Sequence, residues 1–82
     1  MKVTHNLKIE ECYLKAKLAG DKLFEIRVND RGYQKGDTVV YTEYWAGRIK
    51  ATHVFVITYV TSYAQMGEYC VFGEKLVQSR VE

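Results

Sequence analysis

Three side chains between Gly20 and Asp37 have the types and the spacing to form a small polar site. Lys22, Glu25 and Arg27 follow one another closely in this segment, whose residues 23–29 alternate as a strand does. On a strand, Glu25 and Arg27 lie on one face as neighbours, because side chains repeat every second residue. An ammonium group, a carboxylate and a guanidinium group together can hold a phosphate, read a base edge or transfer a proton. The segment predicts either the wall of a ligand site or a strand edge whose exposed ion pair keeps it hydrated.

The alternation also predicts which way this strand faces. We expect its apolar face to point into the core and the face with Glu25 and Arg27 to line a cleft. Lys22 has the parity of the apolar face, so we expect it at the rim, where its ammonium group stays hydrated. The members of the apolar face are Phe24, Ile26 and Val28.

A single helix is predicted before this strand, over about Ile9–Ala19. Gly20 supplies the left-handed residue that commonly ends a helix. Glu11 precedes Lys15 by four residues, the favourable order for a helical ion pair. The expected buried stripe consists of Ile9, Cys12, Tyr13, Ala16 and Ala19.

The rest of the chain reads as β-strands. β-Branched and aromatic residues dominate two long runs, and the short Gly-containing segment Ala46–Arg48 between them predicts a hairpin. With tight turns, one helix and five to six strands predict a mainly β (α+β) fold: a small, closed or half-closed β-barrel in a single domain over residues 1–82, with the helix packed at its end. The strand segments are 3–9, 22–29, 38–45, 49–61, 69–73 and 75–81.

Composition narrows the function further. The net charge of +2 is far below that of domains that bind nucleic acid by charge alone. Cys12 and Cys70 match no zinc or redox spacing, so we expect two buried, reduced thiols and no metal or cofactor. No signal-peptide core or membrane-length apolar run is present, which indicates a cytoplasmic protein with no membrane association.

The N-terminal half resembles the ASCH domain family of the PUA-like superfamily, in particular a small bacterial and phage branch of uncharacterised proteins. The most specific part of the resemblance is the pattern Gly-x-Lys-x-x-Glu-x-Arg, whereas the second half matches only as a succession of strands. The resemblance implies a PUA-like β-barrel whose motif residues line a cleft, and it implies an RNA or nucleotide-like ligand. The residues that carry it are His5, Leu7, Lys8, Gly20, Lys22, Glu25, Arg27, Asn29, Asp30, Arg31, Gly36 and Asp37.

An RNA- or nucleotide-binding module is therefore the main prediction. Arginine side chains offer planar donors for phosphates or base edges, and lysines add positive charge. Tyr33, Tyr44 and Trp45 are candidates for base stacking, with core packing as the alternative for each. The predicted ligand-binding residues are His5, Lys8, Lys22, Glu25, Arg27, Asn29, Asp30, Arg31 and Tyr33.

Other interpretations stay open. One ASCH branch resembles amidohydrolases of acetylated cytidine, which use a lysine, a threonine and a later glutamate. Lys22 matches the lysine, but Glu25 occupies the threonine position and cannot replace a hydroxyl nucleophile, which argues against that activity. Glu68 is a candidate for the later glutamate, and Lys22 with Glu25 would be the acid–base pair of a hydrolase. A protein-interaction module that uses the aromatic hairpin around Tyr41–Trp45 is the third possibility, with the oligomeric state open. His5 could serve as a base or as a structural hydrogen-bonding group, while His53 is expected to be structural.

Overall fold

A five-stranded sheet and one short helix make up the protein, which a computed structural model describes over residues 2–82. The strand order is β1-β3-β4-β5-β2; β1 runs parallel to β3, and the other pairs are antiparallel. The mainly β prediction is confirmed, with five strands within the described residues. The elements are β1 (Thr4–Leu7), α1 (Glu11–Leu18), β2 (Phe24–Val28), β3 (Thr38–Trp45), β4 (Arg48–Thr61) and β5 (Tyr69–Val81).

The sheet curls into a half-barrel, with its two edge strands unpaired to each other. β1 and β2 are these edges, and the segment containing α1 connects them along the chain. Leu14 of α1 joins the core, so the helix closes the concave side of the sheet. The core residues are Leu7, Leu14, Tyr33, Val39, Tyr41, Phe55, Ile57, Cys70 and Phe72.

The predicted hairpin is confirmed. Trp45 pairs with Arg48, which leaves a two-residue turn of Ala46 and Gly47. Both turn residues have positive φ, 51° and 77°, as the type I′ turn that matches strand twist requires. Arg48 belongs to β4 rather than to the turn.

The last strand differs from the prediction, because residues 69–81 form one strand instead of two. Gly73, the last residue of the first of the two predicted strands, pairs with Tyr59 beside a register shift between Ile57 and Tyr59 of β4. A Cβ atom at Gly73 would stand 3.0 Å from the Thr58 hydroxyl oxygen. The glycine therefore lets the two strands approach at a bulge, and it does not end β5.

The helix ends where predicted but buries a different face. Gly20 has φ 83°, the left-handed conformation expected of a residue that follows a helix. The buried helical residues are Leu14 and Lys17, whereas Cys12 is exposed and only the Cys70 thiol is buried. The predicted apolar stripe was wrong because the inward helical face carries an ionic group, which is described below. The expected ion pair between Glu11 and Lys15 is present. Within residues 2–82, no helix has the length and apolar character that crossing a membrane requires.

Candidate ligand-binding cleft

Strand β2 faces the opposite way from the prediction. Glu25 points inward and is 6% exposed, whereas Ile26 is 54% exposed and its apolar neighbours Phe24 and Val28 are also largely exposed. Burial of a carboxylate is unfavourable unless cationic partners accompany it. Here the partners are present inside, so the acidic residue takes the core side of the strand and the apolar residues form an open wall.

Glu25 is the centre of the ionic group. Its Oε2 atom lies 2.8 Å from Nζ of Lys17 and 2.8 Å from Nζ of Lys22. Its Oε1 atom accepts a hydrogen bond from Nε of Arg27 at 2.9 Å. One carboxylate thus binds three cations, each charge-assisted and therefore stronger than a neutral hydrogen bond.

Lys17 links Glu25 to a second acid deeper in the core. Its buried ammonium group forms an ion pair with Glu74 and donates to the Phe24 carbonyl oxygen at 3.0 Å. The Tyr41 hydroxyl donates to the other carboxylate oxygen of Glu74 at 2.7 Å. We call Lys17, Glu25, Glu74 and Tyr41 the Lys17 cluster.

The sequence interpretation did not assign Lys17, Glu74 or Tyr41 to a site. Two of them followed patterns that could have been used: Cys70, Phe72 and Glu74 alternate on the inner face of β5. Lys17 lies three residues after the buried Leu14, on the same face of α1. Their contact joins positions 57 residues apart, which local spacing does not reveal.

The two acids of the Lys17 cluster have opposite pKa shifts. Burial raises the pKa of Glu25, but hydrogen bonds from Lys17 and Lys22 and the charge of Lys17 outweigh it, so the pKa lies below the usual value. Burial dominates at Glu74 and keeps its pKa raised despite the bonds from Lys17 and Tyr41. At neutral pH Glu25 is accordingly the firmly ionised member of the pair.

The cluster opens outward into a cleft of about 630 Å³. The cleft lies between β2 and the segment that follows β1, and arginine side chains span this gap between the two sheet edges. Arg27 donates from Nη2 to the Lys8 carbonyl oxygen at 2.7 Å, and Arg31 approaches the Asn6 carbonyl oxygen at 3.4 Å. Arg27 therefore touches both the buried carboxylate and the opposite wall.

The free edge of β2 also faces this cleft. Beside the two ends of β2, the Leu23 carbonyl accepts a hydrogen bond from the Glu74 amide, and the Asn29 amide donates to the Glu68 carbonyl. Odd-numbered residues of β2 therefore turn their backbone N–H and C=O groups toward β5. Even-numbered residues turn theirs to the free edge, because the direction alternates along an antiparallel strand. Lys17 and Lys22 occupy the Phe24 carbonyl oxygen, while the backbone groups of Ile26 and Val28 line the cleft without a ladder partner.

Seven of the nine predicted ligand-binding residues line the cleft. Lys22 lies at its rim as expected, with its Nζ atom 4.8 Å from the centre of the Phe24 ring. Tyr33 reaches the cleft from inside the core, where its ring packs 4.8 Å from the ring centres of both His5 and Phe72. Core packing, the alternative considered for Tyr33, is what the structure shows. The seven are Lys8, Lys22, Glu25, Arg27, Asp30, Arg31 and Tyr33.

The other two predicted residues lie outside the cleft. His5 is buried, and its Nε2 atom lies 2.9 Å from Oδ2 of Asp37. Asn29 accepts a hydrogen bond from the Tyr33 amide at 3.0 Å and so shapes the turn after β2. Glu68, the candidate for a late catalytic glutamate, also lies outside the cleft, beside Asn29.

The remaining aromatic and histidine positions are also placed. Tyr44 and Trp45 are exposed, so neither packs in the core. His53 bridges strands through Ser79 at 2.8 Å and Glu43 at 3.1 Å, which fits the predicted structural role. Among residues 2–82, no group of three or more His, Cys, Asp or Glu side chains could hold a metal ion.

The fold and the site together define a small half-barrel domain with a charged cleft between its two sheet edges. Residues 4–74 match a protein family described as a domain of unknown function (DUF3850). The match covers most of the chain, and the protein belongs to this family. No curated protein matches the sequence.

Proposed function

We propose that this protein is an RNA- or nucleotide-binding module of the ASCH type, and that its ligand occupies the cleft beside α1. The observation that carries the proposal is the convergence of Lys22 and Arg27 on Glu25 at the wall of a cleft large enough for one nucleotide unit. Small-ligand sites typically combine a concave, largely apolar wall with a few convergent polar groups.

The charge balance of the cleft favours reading a base over gripping phosphates. Lys17, Lys22 and Arg27 carry three positive charges, and Glu25 and Glu74 offset most of them. A ligand phosphate would compete with these carboxylates for the same donors. Among the basic residues that line the cleft, Lys8 and Arg31 make no ion pair within residues 2–82, and they suit a phosphate outside the base pocket.

The backbone of β2 supplies further groups for a nucleobase. The amide and carbonyl of Ile26 point into the cleft and offer one donor and one acceptor, which matches the polar edge of a base. The side chains of Phe24, Val28 and Tyr69 add apolar surface around them. A flat ring with a polar edge suits this combination better than a peptide side chain does.

Substitution Arg27→Ala tests the proposal. We expect it to abolish binding of nucleoside monophosphates and short RNA in a titration, because Arg27 contacts both walls of the cleft. The melting temperature should change little, since Glu25 keeps Lys17 and Lys22. The exposed Arg80→Ala is the matched control and should bind as the unaltered protein does. Unchanged binding in Arg27→Ala would refute the cleft assignment, and a collapse in melting temperature would identify Arg27 as part of a structural pair.

An amidohydrolase-like activity on modified nucleosides is the second candidate, because Lys22 and Glu25, the predicted acid–base pair, meet at 2.8 Å in the wall of the cleft. In this reaction water adds to the acyl carbon of an N-acylated base. The C–N bond then breaks, and a proton passes to the leaving amine. Incubation with N-acylated nucleosides, followed by chromatography, tests it.

Three outcomes of this assay separate the alternatives. Deacylation that is lost in both Lys22→Ala and Glu25→Gln, with unchanged melting temperatures, would support the enzyme. Deacylation that persists in Lys22→Ala would remove that lysine from the mechanism. If no acyl group is removed from any substrate, the enzyme is refuted and the binding module is retained as the proposed function.

A further inference from the structure

The hairpin tip, residues 44–50, exposes aromatic surface that the fold does not use. Tyr44 is 64% exposed and Trp45 is 74% exposed, although both belong to β3, whose earlier residues are largely buried. Ile49 pairs with Tyr44 across the hairpin and is also exposed. Contiguous exposed apolar patches, unlike single exposed residues, mark interaction sites when they are large.

A continuous concave path joins the cleft to this tip. Lys8 and Ile9 line both the cleft and a neighbouring groove, and Tyr44 lines that groove at its far end. A third depression, lined by Tyr44, Trp45 and Lys50, follows. Three depressions that share residues at each junction describe a track rather than isolated pockets.

The strand register gives the distance along this track from Lys8 to Tyr44. Leu7 pairs with Tyr41, so the next residue, Lys8, lies level with Thr42. Tyr44 follows two residues further along β3, or about 7 Å at the usual rise per residue. This spacing is of the order of one step between neighbouring units in an extended nucleic acid strand.

The groove between the cleft and Tyr44 suits a polyanion, because Lys8 is its one charged lining residue, whereas the third depression beyond it has Glu11 and Glu43 beside Lys50. The hairpin tip contains Arg48 and Lys50 and no acidic residue. Arg48 and Lys8 make no ion pair among residues 2–82, and Lys50 has one exposed partner, Glu43, at 3.3 Å. The charges of the cleft, by contrast, are largely paired internally.

We propose that the hairpin tip is a second base-binding subsite, and that the ligand is single-stranded RNA that runs from the cleft over Lys8 to Tyr44 and Trp45. This inference rests on the proposed function of the cleft. One base occupies the cleft, the linking phosphate meets Lys8, and the next base stacks on Tyr44 or Trp45. Such stacking tolerates any base, because every base presents a π-face.

Trp45 is the single tryptophan of the chain, so its fluorescence reports on the tip alone. The probes are four RNA tetranucleotides, each made of a single base (A, C, G or U), and the four corresponding nucleoside 5′-monophosphates. We expect tetranucleotides to quench Trp45 fluorescence and to bind at least tenfold more tightly than monophosphates. Tyr44→Ala should weaken tetranucleotide binding about tenfold and leave monophosphate binding unchanged, since each stacked base contributes on that scale. Tyr63→Ala, an exposed tyrosine outside the track, is the matched control.

Equal affinity for tetranucleotides and monophosphates would overturn the second subsite and leave the cleft assignment intact. Binding of neither probe would overturn the cleft and the subsite together. Light scattering supplies a further arm: a dimer that Tyr44→Ala dissociates would assign the tip to self-association and refute the RNA track.

Discussion

Two ionic groups lie in this small core: one is buried throughout, and the other extends to the protein surface. Asp37 accepts hydrogen bonds from His5 and from the amides of Val3 and Gln34, and both members of the His5–Asp37 pair are almost completely buried. The Lys17 cluster also begins in the core, but Lys22 and Arg27 extend it to the cleft surface.

This difference separates a structural ionic group from the one that we propose binds a ligand. The His5–Asp37 pair is saturated by backbone donors, so an incoming molecule finds no group to replace. Two of the three cations bound to Glu25, Lys22 and Arg27, are partly exposed, and a ligand can take over one of their hydrogen bonds. Both groups involve residues that the ASCH resemblance had placed in one site, yet only the second reaches the cleft.

The largest expected effect on stability comes from breaking the His5–Asp37 pair. Asp37→Ala leaves the buried His5 and two partly buried amides without their acceptor, and we expect the free energy of unfolding to fall by about 3–5 kcal/mol. Urea denaturation measures this loss. Asp21→Ala, which removes an exposed acid, should change stability by less than about 0.5 kcal/mol. Similar losses in the two variants would show that the Asp37 pair is not structural.

The Lys17 cluster should respond more mildly and in a pH-dependent manner. Lys17→Met leaves two buried acids without their shared cation, but Glu74 can take up a proton because its pKa is already raised. We expect a loss of about 2–3 kcal/mol at neutral pH. Without Lys17 the pKa values of both acids rise, so protonation on lowering the pH should reduce the loss.

Urea denaturation at pH 7 and pH 5 checks this, with the exposed Lys15→Met as the matched control. A loss that grows toward pH 5 would contradict the assigned pKa directions.

A smaller effect is expected from acid titration of the intact protein. Burial raises the pKa of Asp37, but hydrogen bonds from His5 and two backbone amides outweigh it and hold the pKa below the usual value of 3.8. A lowered pKa gives stability that is present above the unfolded-state pKa and is lost as the pH falls through the folded-state value. At pH values under about 4, the melting temperature should therefore decrease as the pH is lowered. This decrease should be smaller in Asp37→Asn. An equal acid dependence in the variant would assign it to other carboxyl groups.

Local patterns predicted most of the secondary structure, although residues 69–81 were predicted as two strands and form one. Positive φ at Gly20 and the turn at Ala46 and Gly47 follow from glycine chemistry, and β2 follows from its alternation. The direction in which β2 faces was not predictable by the same means. Alternating apolar residues normally point inward, and the exception at Glu25 depends on Lys17 and Glu74, which are distant in sequence.

Only the part of the candidate site that comes from one continuous segment was predictable. Lys22, Glu25 and Arg27 lie close together because they share β2 and the residues just before it. His5 was placed in the cleft on resemblance alone, and its partner Asp37 holds it in the core instead. The inner part of the site needs the contact between α1 and β5, which brings Lys17 to Glu74.

Amide chemical shifts during a nucleotide titration would show which part of the protein a nucleotide contacts. With an isotope-labelled protein and each of the four nucleoside 5′-monophosphates, we predict the largest shifts at the amides of Ile26 and Val28, on the free edge of β2. The amides of Val3 and Gln34, which bind Asp37, should not move. Shifts centred on the His5–Asp37 pair, or none at β2 with a nucleotide that binds, would contradict the account.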